Sequence, residues 1–253
     1  MKRLIPTLLL ALSMTCGLAV ACNPTAGVPV TVSMALESLA DGRLITVSGW
    51  EVELEHATVL LGPIYAYGPD VEPVAALTPF PAVAHAHGGF DGLDGRVVRA
   101  EYLEQQAFDA LSETPMDLGP VLGLQGTIDE VSLVLDAPRG IHASENGPTR
   151  GHHLLVCGVA TRGEERVVFE GGLDLPDEGL TRRIDGVAVD GALADGRALV
   201  VGVDVTGWLA EADFSEFVGQ EQPVVFGPDS QPLRALRLGA RNSAGYAARV
   251  EGQ

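Results

Sequence analysis

A strict alternation of apolar and acidic side chains runs through the stretch WEVELE at residues 50–55. Successive residues of a β-strand point to opposite faces of a sheet, so Trp50, Val52 and Leu54 are expected on one face and the glutamates on the other. This period-two pattern is typical of a strand with one face against a core and the other in water. It predicts a fold organised around half-solvated β-sheet.

Strand and turn signals recur along the chain. Residues 28–37 and 43–55 are separated by Asp41-Gly42, a turn dipeptide that predicts an early hairpin. Residues 56–68 continue as a more buried strand. Other predicted strands are 123–136 with Val131, Leu133 and Leu135 on one face, 151–163 paired with 165–176 around the turn TRGEE, and 182–205 with three Asp-Gly turns.

Helical signals are few. Residues 96–113 suit either a strand leading into a short helix or one helix. In residues 206–217, Trp208, Leu209, Ala212 and Phe217 have helical spacing, and the segment is expected to form a short packed helix. The rest of the chain is predicted to be an irregular tail ending in an edge strand over 237–252. The fold class is therefore all-β: an antiparallel, jelly-roll-like β-sandwich with one or two short helices and a long irregular loop insertion at 68–95.

The N-terminus has the features of an export signal. Lys2 and Arg3 precede an apolar run that is too short for a membrane span and has signal-peptide length. The run ends in LAVAC, which resembles the lipobox of bacterial lipoproteins. The resemblance implies cleavage before Cys22, lipidation of that cysteine and anchoring to the cell envelope, with Asn23 favouring the outer membrane of a Gram-negative host. Ordinary cleavage after Ala21, without lipid, is the alternative.

The domain prediction follows from this signal. Residues 1–21 are the signal peptide, 22–29 the lipidated cysteine and tether, and 30–253 one β-sandwich domain that contains the 68–95 insertion. The formal net charge of −18 repels nucleic acid and anionic lipid, so the expected contact with the membrane is through the lipid anchor only. Of the remaining cysteines, Cys157 is expected to be a small buried hydrophobe, with metal ligation as the alternative.

Two histidines one residue apart are the main functional signal. His85 and His87 project to the same side of an extended segment, at a separation that lets two imidazoles share one metal ion. Asp91 and Asp94 supply oxygen ligands just downstream. Imidazole nitrogen favours zinc, copper or nickel, and carboxylates neutralise the charge of the ion. A solvated polar loop is the competing interpretation.

Two ligands hold a metal weakly, so a third is expected from elsewhere in the chain. The sequence GHH offers His152 and His153, which face opposite ways if the segment is a strand. His153 shares a face with Leu155 and Cys157, and if that face is the core, His152 is the exposed residue and the better ligand. His142 is a second candidate, and His56 is expected to be structural.

Enzyme motifs were sought along the sequence. There is no Gly-rich phosphate loop followed by lysine, no G-x-S-x-G elbow and no H-E-x-x-H. The sequence thus favours a binding protein over an enzyme. A metal-dependent hydrolase stays open as the enzymatic alternative.

The C-terminal layout gives a family resemblance. A hairpin GHHLLVCGVATRGEERVVFEGGLDL is followed by GRALVVGVDVTGWLAEADF, a strand that runs into a tryptophan-bearing turn. This layout resembles periplasmic metal-handling β-sandwich lipoproteins, including the copper-binding proteins associated with methanobactin. The resemblance implies an envelope-anchored protein that binds zinc or copper for capture or delivery. The alternative is a metal-free β-sandwich that binds another envelope protein or a glycan, with Phe80 and Phe90 in its contact surface.

Overall fold

The computed structural model describes residues 28–69, 96–176 and 181–252, and these residues are mostly strand. The strands in chain order are β1 Pro29–Ser38, β2 Arg43–Ile45, β3 Glu51–Pro69, β4 Arg96–Tyr102, β5 Gln106–Asp109, β6 Met116–Leu124, β7 Gly126–Leu135, β8 Leu154–Arg162, β9 Glu165–Leu173, β10 Arg183–Leu193, β11 Ala198–Val203, β12 Val224–Val225 and β13 Tyr246–Glu251. The helical elements are α1 Gln231–Ala240 and short 3-10 turns at Gly140–Ala143, Thr206–Leu209, Ser215–Phe217 and Ser243–Gly245.

One large mixed sheet, which does not close into a barrel, contains these strands. Its main path runs β12–β9–β8–β3–β4–β6–β1–β11–β13, while β2, β5 and β7 pair with β3, and β10 pairs with β7. Most pairs are antiparallel, but β1 pairs with β11 and β9 with β12 in parallel. The predicted all-β sandwich is confirmed, with two parallel pairs that local patterning gave no sign of.

Strand β3 changes character along its length. At its start Trp50, Val52 and Leu54 are buried and the glutamates between them are exposed, as the alternation predicts. From Ala57 to Leu61 every residue is buried. Both faces are covered there, so the sequence becomes continuously apolar. The strand continues to Pro69, two residues into the predicted insertion, and Pro69 pairs with Arg96 of β4.

The predicted hairpin between residues 28–37 and 43–55 is wrong. Strand β1 pairs with β6 and β11, and the hairpin lies within the second segment, where β2 pairs with β3. The turn is closed by Thr46, whose amide donates to the Trp50 carbonyl at 2.8 Å and whose side-chain oxygen accepts from the Trp50 amide at 3.1 Å. These side-chain and backbone bonds set the register more strongly than Asp41-Gly42.

The helix positions differ from the predictions as well. Residues 96–113 form β4 and β5, both paired with β3, because long-range pairing overrides local preference. The segment 206–217 forms two 3-10 turns instead of a helix, although Trp208, Leu209, Ala212 and Phe217 are buried as expected.

The α-helix lies in the predicted irregular tail. It starts after Ser230 with Pro232 in its first turn, and buries Leu233, Leu236 and Ala240. None of the helices in the described ranges has the length and apolar character needed to cross a membrane. After the helix, β13 pairs with β11 at the end of the main path, which confirms the predicted terminal edge strand.

A single core runs through the sheet. Its centre holds an aromatic cluster in which the ring of Phe214 lies 5.7 Å from Trp50 and 5.0 Å from Phe169, and Phe226 stacks on Phe169 at 5.2 Å. The buried residues of β8 and β9 that face this core include Val156, Ala160 and Phe169. The hairpin β8–β9 is therefore fixed from its inner side.

An ion pair ties the terminal edge strand to β1. The Arg249 guanidinium of β13 donates to both carboxylate oxygens of Glu37, with Nη2 at 2.7 Å from Oε2. This hydrogen bonding lowers the pKa of Glu37, which is mostly buried at its side chain. Because the folded state favours the charged carboxylate, Glu37 stabilises the fold above its ordinary pKa of 4.5, and this stabilisation is lost as the pH falls through the lowered pKa.

Glu37→Gln is therefore expected to lower the free energy of unfolding at pH 7 by up to about 1 kcal/mol. The difference from the unsubstituted protein should shrink towards zero as the pH falls through the lowered pKa of Glu37. Urea denaturation across this range measures both, with exposed Glu145→Gln as the control. A difference that is the same at every pH would contradict this role of the ion pair.

Candidate metal-binding site

The two adjacent histidines lie where the chain enters β8. The segment before them turns through Arg150 and Gly151, both with positive φ (51° and 85°), and the His152 amide donates to the Thr149 carbonyl at 3.0 Å. The His153 amide donates to the Leu173 carbonyl at 3.0 Å, and its carbonyl accepts from the Leu60 amide at 2.8 Å. The backbone of this entry point is thus fixed to both β9 and β3.

His152 is oriented by a carboxylate. Its Nδ1 lies 3.0 Å from Oδ2 of Asp174, the residue that follows β9. A carboxylate accepts hydrogen bonds only, so Nδ1–H is the donor and Nε2 carries the free lone pair in the neutral ring. The side chain is 36% exposed, so the ring is partly open to solution.

Gly172 makes room for this ring. A Cβ placed on Gly172 would lie 2.4 Å from Nε2 of His152 and 2.3 Å from its Cδ2, which is closer than atoms can approach. The imidazole therefore lies flat on the backbone of β9 in space that only glycine leaves open. Asp174 and Gly172 together set the position of the ring.

His153 is held differently. Its side chain is 7% exposed, its Nδ1 accepts from the Leu175 amide at 3.4 Å and lies 3.7 Å from Oδ1 of Asp174. Burial lowers the pKa of His153, the Arg182 charge lowers it further, and Asp174 raises it in part. His153 is thus neutral at pH 7 and serves as a packed structural residue.

The more exposed histidine is His152, although the predicted reason for this is wrong. The core cluster takes Leu154, Val156 and Ala160 from β8, whereas Cys157 and Val159, in phase with His153, are half-buried. Both histidines precede the strand, so the turn at Gly151, and not strand alternation, sets their exposure.

The structure also describes His142 and His56. His142 sits in the 3-10 turn Gly140–Ala143, half-buried, with its Nδ1 lacking a hydrogen-bond partner among the described residues. His56 hydrogen-bonds the Pro148 carbonyl through Nε2 at 3.2 Å, in keeping with a structural role. Within ranges 28–69, 96–176 and 181–252, no three histidine, cysteine or acidic side chains are grouped so as to hold a metal ion.

Cys157 is half-buried on the outer side of β8, not fully buried as predicted, because the core face is the other one. Its Sγ lies 3.9 Å from Oε2 of Glu170, which also pairs with Arg150. Burial raises the pKa of the thiol, and the neighbouring Glu170 raises it further. The thiol is therefore protonated at neutral pH and a weak metal ligand.

Five sequence-predicted site residues, Cys22, His85, His87, Asp91 and Asp94, lie outside the described residues. The residue that sequence reasoning missed is Asp174. Its signal was available in the hairpin register: Leu154 pairs with Leu173, so the next pair outwards brings Asp174 opposite His153 and diagonal to His152.

The fold and this arrangement define an all-β sandwich with an exposed, carboxylate-oriented histidine at the end of a hairpin. No protein-family model matches the chain. No curated protein matches it either.

Among solved structures, MbnP from Methylosinus trichosporium is similar over 83% of this chain and 86% of its own, with 12% sequence identity and a TM-score of 0.32.

Gly172→Ala is expected to displace the His152 ring and break its hydrogen bond to Asp174. Long-range ¹H–¹⁵N NMR above pH 7.5 should show His152 as the Nδ1–H tautomer in the unsubstituted protein and a shift towards the Nε2–H tautomer in the variant. Gly207→Ala is the matched control, because a Cβ at Gly207 meets nothing within 4 Å. An unchanged His152 spectrum in Gly172→Ala would contradict the described packing.

Proposed function

We propose that this chain is an exported, lipid-anchored β-sandwich protein that binds one zinc or copper ion for capture or delivery. The observation that carries the proposal is the contact of His152 Nδ1 with Asp174 at 3.0 Å, which makes Nδ1–H the donor and leaves the lone pair of Nε2 for a metal ion. Metal-ligating histidines almost always donate their other ring N–H to a carboxylate or carbonyl. His152 has this arrangement with Asp174.

Electrostatics support cation binding at this position. The chain has a formal net charge of −18, and Asp174 adds a carboxylate directly beside the ring. A negative surface raises the local concentration of cations, and the carboxylate orients the imidazole that it contacts. The borderline donor, imidazole nitrogen, selects transition metals over calcium or magnesium.

One histidine supplies one ligand, so the other ligands to the metal ion are expected among the residues identified from the sequence. His85 and His87 are the paired imidazoles, with Asp91 as an oxygen ligand and His142 as the alternative to His152. A complete set of three or four ligands suits storage or transfer of the ion. The absence of enzyme motifs from the sequence agrees with a binding role.

Isothermal titration of the purified protein with Zn²⁺ and Cu²⁺ tests this function. We expect binding of one ion per chain, weakened by about 10–100-fold in Asp174→Asn, which removes only the orienting carboxylate. His152→Ala and the double variant His85→Ala with His87→Ala should weaken it at least as much. His56→Ala is the control, because His56 is bound to the Pro148 carbonyl.

If His152→Ala binds both ions with the affinity of the unsubstituted protein, His152 is not a ligand. If the double variant at His85 and His87 also matches it, the proposed ligand set is wrong, and if the unsubstituted protein binds neither ion, the metal-binding function itself is wrong.

The envelope location is a separate part of the proposal. Lipidation of Cys22 would hold the domain at the membrane, because each buried CH₂ of an acyl chain contributes about 0.8 kcal/mol. Mass spectrometry of the protein from a bacterial membrane fraction should show an N-terminal peptide that begins at Cys22 and carries acyl chains. An unmodified Cys22 at the N-terminus would contradict lipid anchoring.

A further inference from the structure

The outward face of β2, β3 and β8 forms a shallow groove of about 570 Å³. Strand pairing arranges its side chains in two rows, one with Arg43, Glu53 and Val159 and the other with Ile45, Glu51 and Thr161. These six residues are named the β2 face. The β2 face is remote from His152, because Thr161 lies near the end of β8 whereas His152 lies just before its start.

The β2 face has an open strand edge. Among the strands in the described ranges, β2 pairs with β3 alone. The Leu54 amide donates to the Gly42 carbonyl and the Thr46 amide to the Trp50 carbonyl, so the even-numbered residues direct their backbone groups towards β3. By the alternation of an antiparallel ladder, Ile45 directs its N–H and C=O outwards.

Among the described residues, protection of this edge is confined to its two ends, where Asp41 Oδ1 accepts from the Arg43 amide at 3.1 Å and the Ala210 carbonyl accepts from the Val47 amide at 2.8 Å. Natural edge strands are commonly guarded by outward charges, prolines or a covering loop. Here Ile45 is 72% exposed and Val47, two residues further on, is 77% exposed. Two β-branched apolar side chains beside the outward N–H and C=O of Ile45 offer one ladder position to an added strand.

Charge defines the chemistry of the partner. Glu51, Glu53 and Glu55 are exposed on this side of β3. Arg43 offsets Glu53 through an ion pair at 2.7 Å, whereas Glu51 and Glu55 have no cationic partner among the described residues. A second copy of the chain, itself at net charge −18, would be repelled from this face.

We propose that the β2 face binds an extended basic segment of a partner protein, which adds a strand to the open edge of β2. Backbone bonds at Ile45 align the segment, its apolar side chains pack against Ile45, Val47 and Val159, and its basic side chains meet Glu51 and Glu53. This inference does not depend on the metal site.

The experiment measures fluorescence anisotropy of a labelled peptide of alternating valine and lysine, titrated with the purified protein. The matched probe alternates valine and glutamate. We expect binding of the basic peptide and none of the acidic one, with the affinity falling as salt is added.

Two variants separate the backbone and charge contributions. Ile45→Pro removes the outward N–H without removing a bond to β3, and is expected to weaken binding roughly tenfold. Glu51→Gln with Glu53→Gln should weaken it comparably and reduce its salt dependence. Glu104→Gln with Glu145→Gln removes the same charge from exposed positions elsewhere and should leave the affinity unchanged.

Circular dichroism shows whether Ile45→Pro keeps its β-sheet. If this variant loses its sheet, the glutamate variants still test binding at the β2 face. Equal binding of both peptides, no binding of either, or equal losses in the two glutamate pairs would overturn the proposal. Sedimentation could instead show a dimer that is lost in Ile45→Pro, while neither peptide binds. That result would assign the edge to a second copy of the chain and would also overturn the proposal.

Discussion

The hydrogen-bond ladder of β3 is the constraint on which the rest of this structure depends. This nineteen-residue strand pairs with β2, β4, β5, β7 and β8 along its length. Its first residues leave one face in water, and its middle residues are buried on both faces. Because so many strands take their register from β3, a shift of one residue there would turn the buried side chains of several neighbours outwards.

The candidate site inherits its geometry from this ladder. The His153 carbonyl accepts from Leu60 of β3, which fixes the entry of β8, while the β8–β9 register brings Asp174 alongside the histidines. His152 is then positioned by two features with different physical origins: the hydrogen bond to Asp174 and the space above Gly172. A ligand that is oriented before the ion arrives loses less conformational freedom on binding it.

The sequence predicted features that depend on neighbouring residues. The alternation of Trp50, Val52 and Leu54 and the pairing of β8 with β9 around TRGEE both follow from local periodicity and turn chemistry. The parallel pairing of β1 with β11 joins residues far apart in the chain, and no local pattern marks such a partner. The helix after Ser230 was missed despite a readable start, because glycines and arginines around Leu238 obscured its apolar face.

The candidate site was predictable to a similar extent. His152 was identifiable as a candidate from GHH, and Asp174 from the hairpin register, but the close fit of the ring on Gly172 arises only from the folded backbone. The exposure of His152 follows from the turn at Gly151, which single-strand alternation does not describe. The sequence thus predicts which side chains can take part in the site, but it does not predict the space that the fold leaves for the His152 ring.

Anomalous diffraction from crystals soaked in Zn²⁺ tests the central claim most directly. An anomalous peak is expected about 2.0–2.1 Å from Nε2 of His152, with Nδ1 still bound to Asp174. A peak at other residues with Nε2 of His152 free, or no peak at a Zn²⁺ concentration that saturates the protein in solution, would contradict it.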